Sequence, residues 1–474
     1  MKPKRIIENV ELHGISADGR AVARVDNRVI FIRGGVPGDI ADIQITGKEK
    51  KFLLGKIIKL ITPSKDRIDS FCEHFDLCGG CKWQHMTYEA QLAHKQEHVI
   101  SNLKKLSGLD LPESYDILGS KNTTYYRNKL EFTFSNNRWL TYEEIQSGEE
   151  FSRNALGFHI PKMFDKILTI NHCHLQADPS NAIRVKLAEF AESESLTFYD
   201  IKKHQGLLRN LIVRNSTTGA LMVIVQFAED DQININKVLN HLKEEFPEIT
   251  SLMYVINTKH NDTFYDLPVV NFDGEDFIEE KMDDLTFRIG PKSFYQTNSV
   301  QAHELYKIAA EFANIQNDEV VYDLYTGTGT IANFVARSAK KVVGIESVED
   351  AVIDARKNSE INKISNTAFF AGDMKDLLSE EFIQEHGTPN VIITDPPRAG
   401  MHKNVIKQLN HVKAERIVYV SCNPATQARD LELLGELYEV KKIQPVDMFP
   451  HTHHVENIVL LVLKNYAERS RTRS

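Results

Sequence analysis

The chain has 474 residues, 42% of them hydrophobic, and a formal net charge of −9. That length and apolar content suit a globular protein of about three domains, and no apolar run approaches the roughly 20 residues that a membrane span needs. The five cysteines, Cys72, Cys78, Cys81, Cys173 and Cys422, are an odd count without a secretory leader, which excludes a disulfide framework. The N-terminal stretch Met1-Lys-Pro-Lys-Arg-Ile-Ile-Glu-Asn9 carries charge but no apolar leader core, so a cytoplasmic location is expected. The acidic balance argues weakly against a nucleic-acid partner for the whole chain. Residues 1–60 nevertheless hold twelve Lys and Arg against seven Asp and Glu, and the tail Lys464–Arg473 is also basic. A local basic module is compatible with an acidic whole.

Residues 4–62 read as short strands broken by glycines and turns. Val10–Leu12, an alternating Val/Arg stretch from Gly19 to Ile32, a Gly34-Gly35 turn, Asp39–Thr46 and Leu53–Ile61 have the rhythm of a small five-stranded barrel. Barrels of this kind often bind oligonucleotides, and the basic bias points to RNA.

Next comes Cys72-Glu-His-Phe-Asp-Leu-Cys78-Gly-Gly-Cys81, a C-x5-C-x2-C spacing. Gly79 and Gly80 permit a turn tight enough for Cys78 and Cys81 to reach one centre. A fourth thiolate is available from Cys173 in Asn171-His-Cys-His174; by count four sulfurs suit zinc or an iron–sulfur cluster equally, and His74, His172 and His174 are possible substitutes. Trp83 and a helix over Tyr88–Leu106 follow, read as core and solvated face. From Tyr125 to about Phe227 the pattern is α+β: strands at Lys129–Phe134, Ala155–His159, Leu211–Asn215 and Leu221–Phe227, with helices at Ala182–Ser193 and Ile235–Glu245. Tyr125-Tyr-Arg-Asn-Lys129 sets aromatics beside cations, a mixture suited to stacking on bases and pairing with phosphates, or to an ordinary strand start.

After the strand Thr286–Ile289, Ser293-Phe-Tyr-Gln-Thr-Asn298 leads into an amphipathic helix, Gln301–Phe312, capped by Thr297 or Asn298. The last region alternates strand and helix: Val320–Tyr325, Lys341–Ile345, Ala368–Ala371, Val391–Thr394, Ile417–Val420 and Val455–Leu463 are strands of a doubly wound sheet. Its first turn, Asp323-Leu-Tyr-Thr-Gly-Thr-Gly-Thr330, is glycine-rich, and the second strand ends at Glu346, placed to bind ribose hydroxyls. The third glycine of the dinucleotide fingerprint is missing, since Asn333 and Phe334 follow. A nucleoside cofactor without phosphates, S-adenosylmethionine, fits better.

Asp395-Pro-Pro-Arg-Ala-Gly400 follows the fourth strand and Ser421-Cys-Asn-Pro424 the fifth, so Cys422 should share the cleft at the carboxyl ends of the strands. The bland reading of Cys422 is a packed small hydrophobe. Amino-group methyltransferases carry an aromatic residue after a comparable Asn/Asp-Pro-Pro, whereas Arg398 stands here, which counts against that chemistry. His451-Thr-His-His-Val-Glu456 opens the last strand.

Taken with Ser293–Asn298 and Asp323–Gly329, these motifs resemble the RNA uracil-5-methyltransferase family over nearly the whole chain. The resemblance is greatest to bacterial members acting on 23S ribosomal RNA, with tRNA the alternative substrate. It implies an N-terminal TRAM barrel at 1–62, a central α+β domain with a four-iron cluster at 63–285, and a Rossmann-like catalytic domain at 286–474, in a monomer. By the same resemblance Cys72, Cys78, Cys81 and Cys173 hold the cluster, with zinc the lesser possibility. Gln296, Tyr325, Glu346 and Asp395 contact S-adenosylmethionine, Cys422 is the nucleophile and Glu456 the base, with Asp395 or His453 as runners-up. Carbon 5 of uracil is a poor nucleophile, and adding a thiolate at carbon 6 turns the ring into an enolate able to attack a methyl sulfonium. A methyltransferase acting on a small molecule or protein, or a non-catalytic iron–sulfur RNA-binding protein, are the rival readings.

Overall fold

The computed structural model describes residues 5–464, so the basic tail beyond Lys464 lies outside the described residues. Three large sheets follow one another along the chain. The first has six strands, Ile6–Glu11, Gly14–Ile15, Ala21–Val25, Arg28–Arg33, Ile40–Lys48 and Phe52–Thr62, where five were expected. The stretch read as one alternating strand from Gly19 to Ile32 is a hairpin, turned at Asp26 and Asn27 with φ of 50° and 60°. Those are the positive values a two-residue type I′ turn demands, and Asp and Asn tolerate them. Alternate residues Ala21, Ala23, Ile30, Ile32, Ala41 and Ile43 point inward and form its apolar core.

The second sheet has seven strands: Lys129–Ser135, Ala155–Ile160, Met163–Thr169, Leu208–Asn215, Leu221–Phe227, Ser251–Ile256 and Val270–Gly274. Its neighbours are antiparallel except for Leu221–Phe227 beside Ser251–Ile256, which are joined by the helix Gln232–Glu245. That helix and Ser180–Ser193 cover one face through Ile183, Leu187, Val238 and Leu242. One helix precedes this sheet, α1 (Tyr88–Leu106).

The third sheet contains β1 (Val320–Leu324), β2 (Lys341–Glu346), β3 (Thr367–Ala371), β4 (Val391–Thr394), β5 (Arg416–Ser421), β6 (Tyr438–Val446) and β7 (Glu456–Leu463), in the order β3-β2-β1-β4-β5-β7-β6. The first five strands are parallel, and β7 runs antiparallel between β5 and β6. The order reverses between β1 and β4, and the ligand crevice of an open α/β sheet opens at such a point. Ile417 to Val420 are buried on both faces, which is why β5 reads as an unbroken apolar run rather than an alternation. The helix α2 (Ser299–Ala313) is capped by Asn298, whose side chain accepts from the Gln301 N–H, and not by Thr297. Strand β6 escaped the sequence reading. It is an edge strand with a register shift between Val440 and Lys442 and with Pro445 near its end, so its hydrophobic alternation is interrupted. Among the described residues no helix is long and apolar enough to cross a membrane.

Candidate active site

All the chemistry-bearing residues of the third sheet lie at one end of it. Asp323 and Tyr325 end β1, Glu346 ends β2, Asp395 follows β4, and Cys422 follows β5. Strand register brings the last pair together: Ser421 is paired with Asn457, so Cys422, one residue on, comes level with Glu456, one residue back. The Cys422 thiol is pushed up to about 11 by burial and by the charges of Glu456 and Asp395, against which Arg398 acts in the opposite direction. Burial lifts the Asp395 carboxyl to about 7. Glu456 is raised well above the usual carboxylate range, first by burial and then by Asp395. Two buried acids and one thiol therefore share a water-poor corner, with a single nearby cation favouring the thiolate.

The turn after β4 is tied to the turn that carries Cys422. Asn423 Nδ2 and Thr426 Oγ1 both donate to the Arg398 carbonyl, at 3.1 and 3.2 Å, while the Asn423 side chain also caps the helix Pro424–Leu434 by accepting from the Ala425 N–H at 3.1 Å. Gly400 has φ of +77°, and a Cβ there would meet Arg429 Nη2 and Asp430 Oδ2 at 2.6 Å. Only glycine lets the turn fold this close to the helix.

The loop that delivers Glu456 is gripped from outside the sheet. Lys95 of α1, fully buried, donates to Asp447 Oδ1 at 2.6 Å and to the Phe449 carbonyl at 3.0 Å. Tyr88 donates to Asp447 Oδ2 at 2.8 Å, and Gln91 accepts from the His451 N–H at 2.8 Å. The Lys82 and Trp83 N–H groups both donate to the His451 carbonyl, at 2.8 and 3.1 Å. The first sheet reaches the same loop. Trp83 Nε1 donates to the Gly19 carbonyl at 2.9 Å, and a Cβ on Gly19 would stand 3.0 Å from His453 Cβ. The sequence reading assigned α1 only a core face and a solvated face. Its buried stripe, Gln91, Lys95, Val99 and Leu103 at a spacing of four, contains two polar residues, and that was the available signal. His453 is held down to about 3 by burial, by His454, and by Lys82 and Arg398, so its imidazole is neutral and a weak base at neutral pH.

At the other end of the crevice Tyr325, Gly327 and Gly329 all have positive φ, of 61°, 55° and 75°. The turn they form brings the Gly327 N–H to Glu346 Oε2 at 3.1 Å, while Glu346 Oε1 accepts from Ser347 and Val348. Asp323 Oδ2 takes bonds from Thr326 and Ala332, its buried Oδ1 has no protein partner, and burial raises the carboxyl to about 7. A Cβ on Gly327 would meet nothing within 4 Å. An orphan buried carboxylate oxygen, an acid at the end of β2 and open backbone at a glycine turn fit a nucleoside-sized ligand. Gln296 lies half-buried before α2, with its carbonyl accepting from Asn128 Nδ2 at 2.9 Å.

The remaining four cysteines are far from this crevice in sequence but close to one another. Cys72, Cys78, Cys81 and Cys173 line one cavity of about 330 Å³, closed by Leu130, Phe158 and Ile170. Burial pushes Cys78 to about 11 and Cys81 to about 12, and raises Cys72 and Cys173. Among the described residues no three His, Cys, Asp or Glu side chains converge as one bound ion requires. The candidate histidine substitutes are engaged elsewhere: His74 Nε2 accepts from the Asn171 N–H at 2.9 Å, and Tyr125 Oη lies 3.0 Å from His172 Nε2 and 3.3 Å from His174 Nδ1.

Residues 270–464 match the family model of tRNA (uracil-5-)-methyltransferases, and residues 7–58 match the TRAM domain. The chain is 54% identical to an uncharacterized RNA methyltransferase of Bacteroides thetaiotaomicron over 95% of its own length and 100% of that protein. It is 53% identical to a counterpart in Porphyromonas gingivalis, over 96% of this chain and 99% of that one. Among solved structures, the Pyrococcus abyssi tRNA (uracil-54, C5)-methyltransferase in complex with S-adenosyl-L-homocysteine superposes with a TM-score of 0.74 at 28% identity, covering 96% of this chain and 100% of that chain.

Proposed function

The chain belongs to the RNA uracil-5-methyltransferase family and is an S-adenosylmethionine-dependent RNA methyltransferase, and on that premise we propose that it methylates carbon 5 of a uridine in 23S ribosomal RNA with Cys422 as nucleophile and Glu456 as base. The observation that carries the residue roles is the register of β5 against β7, which sets Cys422 level with Glu456 and both beside Asp395. Bound S-adenosylmethionine supplies an electrophilic methyl group, and Gln296, Tyr325, Glu346 and Asp395 are its contacts in this reading. Asp323, which the motif comparison did not single out as a contact, adds a buried orphan oxygen to the same crevice.

Cys422 adds to carbon 6 as the thiolate, its proton passing to solvent as the one proton that replacing hydrogen by methyl releases overall, and the electrons of the 5,6 double bond move onto the carbon-4 oxygen to give the enolate. Arg398 favours the thiolate, since it is the charge that lowers the Cys422 pKa. Carbon 5 takes the methyl group, and Glu456 then removes the carbon-5 proton. The released electron pair restores the double bond and expels the Cys422 thiolate, which recovers its proton from the Glu456 carboxyl. A carboxyl raised by burial has the proton affinity this shuttling needs, while His453, held near 3, does not. The target uridine has to leave any base stack for its carbons 5 and 6 to reach Cys422.

We assign residues 1–62 and 63–285 to holding the RNA, and the four-thiol cavity to a four-iron cluster. Four cysteines lining one cavity supply the all-sulfur donor set that a cluster takes, and the choice of a cluster over one zinc ion rests on the family resemblance. Cys72, Cys78, Cys81 and Cys173 would hold such a group, which would act as a structural cross-link; the methylation itself consumes no electron. The likeness to a tRNA (uracil-54, C5)-methyltransferase supports tRNA as the second substrate reading. The test is incubation of anaerobically purified protein with labelled S-adenosylmethionine and unmodified 23S rRNA or unmodified tRNA, followed by nucleoside analysis. 5-Methyluridine in the ribosomal RNA supports the proposal, 5-methyluridine in tRNA alone moves the substrate, and no transfer to either with the cofactor bound overturns it.

A further inference from the structure

Two exposed aromatic rings stand beside the loop that carries Glu456 and have no task in the chemistry above. Tyr125 is 45% exposed and Phe71 42%. Of the aromatic and basic stretch Tyr125–Lys129, the structure buries Tyr126, whose hydroxyl donates to the Pro450 carbonyl at 3.0 Å. It sets Arg127 over the Phe449 ring at 5.3 Å, and it turns only the Tyr125 ring outward. Tyr125 does this at a φ of +52°, a left-handed conformation costly for a bulky residue. The surroundings impose it: the Tyr125 N–H donates to the His174 carbonyl at 2.7 Å, and its hydroxyl is held between His172 and His174.

Phe71 completes the surface. Its ring meets His174 edge-on at 5.1 Å and His451 at 5.2 Å. Phe71, His174, His172 and Tyr125 thereby form one run of rings that abuts His451, five residues ahead of Glu456. Scattered surface aromatics need no explanation; a strained, doubly anchored one in a continuous run next to a catalytic loop does.

We propose that Tyr125 and Phe71 form a stacking shelf for an unpaired base that flanks the target uridine in the RNA strand. The proposal rests on the RNA-methylation reading above and adds a recognition element to it. Extruding a uridine leaves its neighbours without a stacking partner, and a fixed aromatic face beside the cleft replaces the lost one. A base is the favoured occupant because the surface is made of aromatic rings and imidazoles, with the Arg127 cation over the ring of Phe449 in the adjoining loop.

The test uses an RNA that the full-length protein methylates, with each unpaired position flanking the target replaced in turn by an abasic nucleotide. Affinity is measured for the wild type, Tyr125→Leu and Tyr125→Phe. Tyr125→Leu is expected to bind the intact RNA about ten-fold more weakly, with an unchanged salt slope because no charge is lost. Tyr125→Phe, which keeps the ring and the backbone bond to His174 and drops the hydroxyl anchor, is expected to bind clearly more tightly than Tyr125→Leu. One abasic position is expected to weaken the wild type about as much and to add nothing to Tyr125→Leu. Unchanged binding by Tyr125→Leu overturns the shelf and leaves the surface to a protein partner. Additive losses, or a Tyr125→Phe variant as weak as Tyr125→Leu, overturn it as well. Failure of the wild type to methylate any RNA strikes the functional reading instead, and is seen before the variants are compared.

Discussion

The five cysteines occupy two sites that raise a thiol by the same means and differ in the company they keep. Cys78 and Cys422 both rise to about 11 because burial disfavours the thiolate. Around Cys78 the walls include Leu130, Phe158 and Ile170, and the charges that act on it are those of other thiols, Cys173 and Cys72. Around Cys422 they are two carboxyls and a guanidinium. Thiols of the first kind ionise together only when a cation fills the space between them. A thiol of the second kind has a proton acceptor and a counter-charge within its own site. The height of a thiol pKa therefore does not separate ligand from nucleophile; the neighbouring groups do.

Removing the nucleophile tests that contrast most severely. Cys422→Ser is expected to lower methyl transfer by on the order of 10⁴ or more and to abolish any covalent protein–RNA adduct on denaturing gels, with iron content unchanged. Glu456→Gln is expected to slow turnover by about 10² to 10⁴ while the adduct accumulates, because sulfur addition and methylation precede proton removal. An adduct absent from Glu456→Gln and present in His453→Ala would transfer the base to His453. For the other site, the proposed cluster predicts that Cys81→Ser loses iron and visible absorbance present in the wild type while the protein still binds S-adenosylmethionine, as measured by calorimetry. Loss of cofactor binding along with iron would mean that the two sites are not independent.

The same contrast explains what could be read from residue order alone. The doubly wound sheet was legible because its central strands are buried on both faces, so Val391–Thr394 and Ile417–Val420 stand out as apolar runs. Glycine turns and the residues after each strand then pointed to the crevice. Strand β6 was not legible, since an edge strand with a bulge and a proline loses its alternation. The hairpin at Asp26 and Asn27 was hidden by a continuous Val/Arg alternation on both of its arms. Least legible was the clamp on the base-carrying loop, because Lys95 and Asp447 are separated by 352 residues and meet only through tertiary packing.

That clamp yields a smaller, separable effect. Lys95→Met leaves Asp447 as an uncompensated buried charge and is expected to cost about 3–5 kcal/mol of stability, read by denaturant unfolding. Adding Asp447→Leu removes the orphan charge and is expected to restore much of that stability. Activity should stay about ten-fold down in kcat in the double variant, since the loop ahead of Glu456 has lost its bonds to α1. Recovery of kcat along with stability would reduce the pair to a structural role.

The smallest effect is a pH dependence, and its sign follows from the two carboxyls. Asp395 rises to about 7 and Glu456 well above the usual carboxylate range, against unfolded values of about 4. Between pH 4 and those raised values the folded chain holds more protons than the unfolded chain, so stability falls as pH rises through that window. His451, His453 and His454 act oppositely. They are depressed to about 4, 3 and 4, so below about 6.5 the unfolded chain holds more protons and stability falls as pH drops. The two trends oppose each other in the wild type. Glu456→Gln removes one carboxyl and leaves the histidines in place. Its melting temperature is therefore expected to exceed that of the wild type by a few degrees at pH 8 and to converge with it near pH 4. A constant offset between the two melting curves would mean that Glu456 does not change its ionisation on folding, and the proton affinity assigned to the base would go with it.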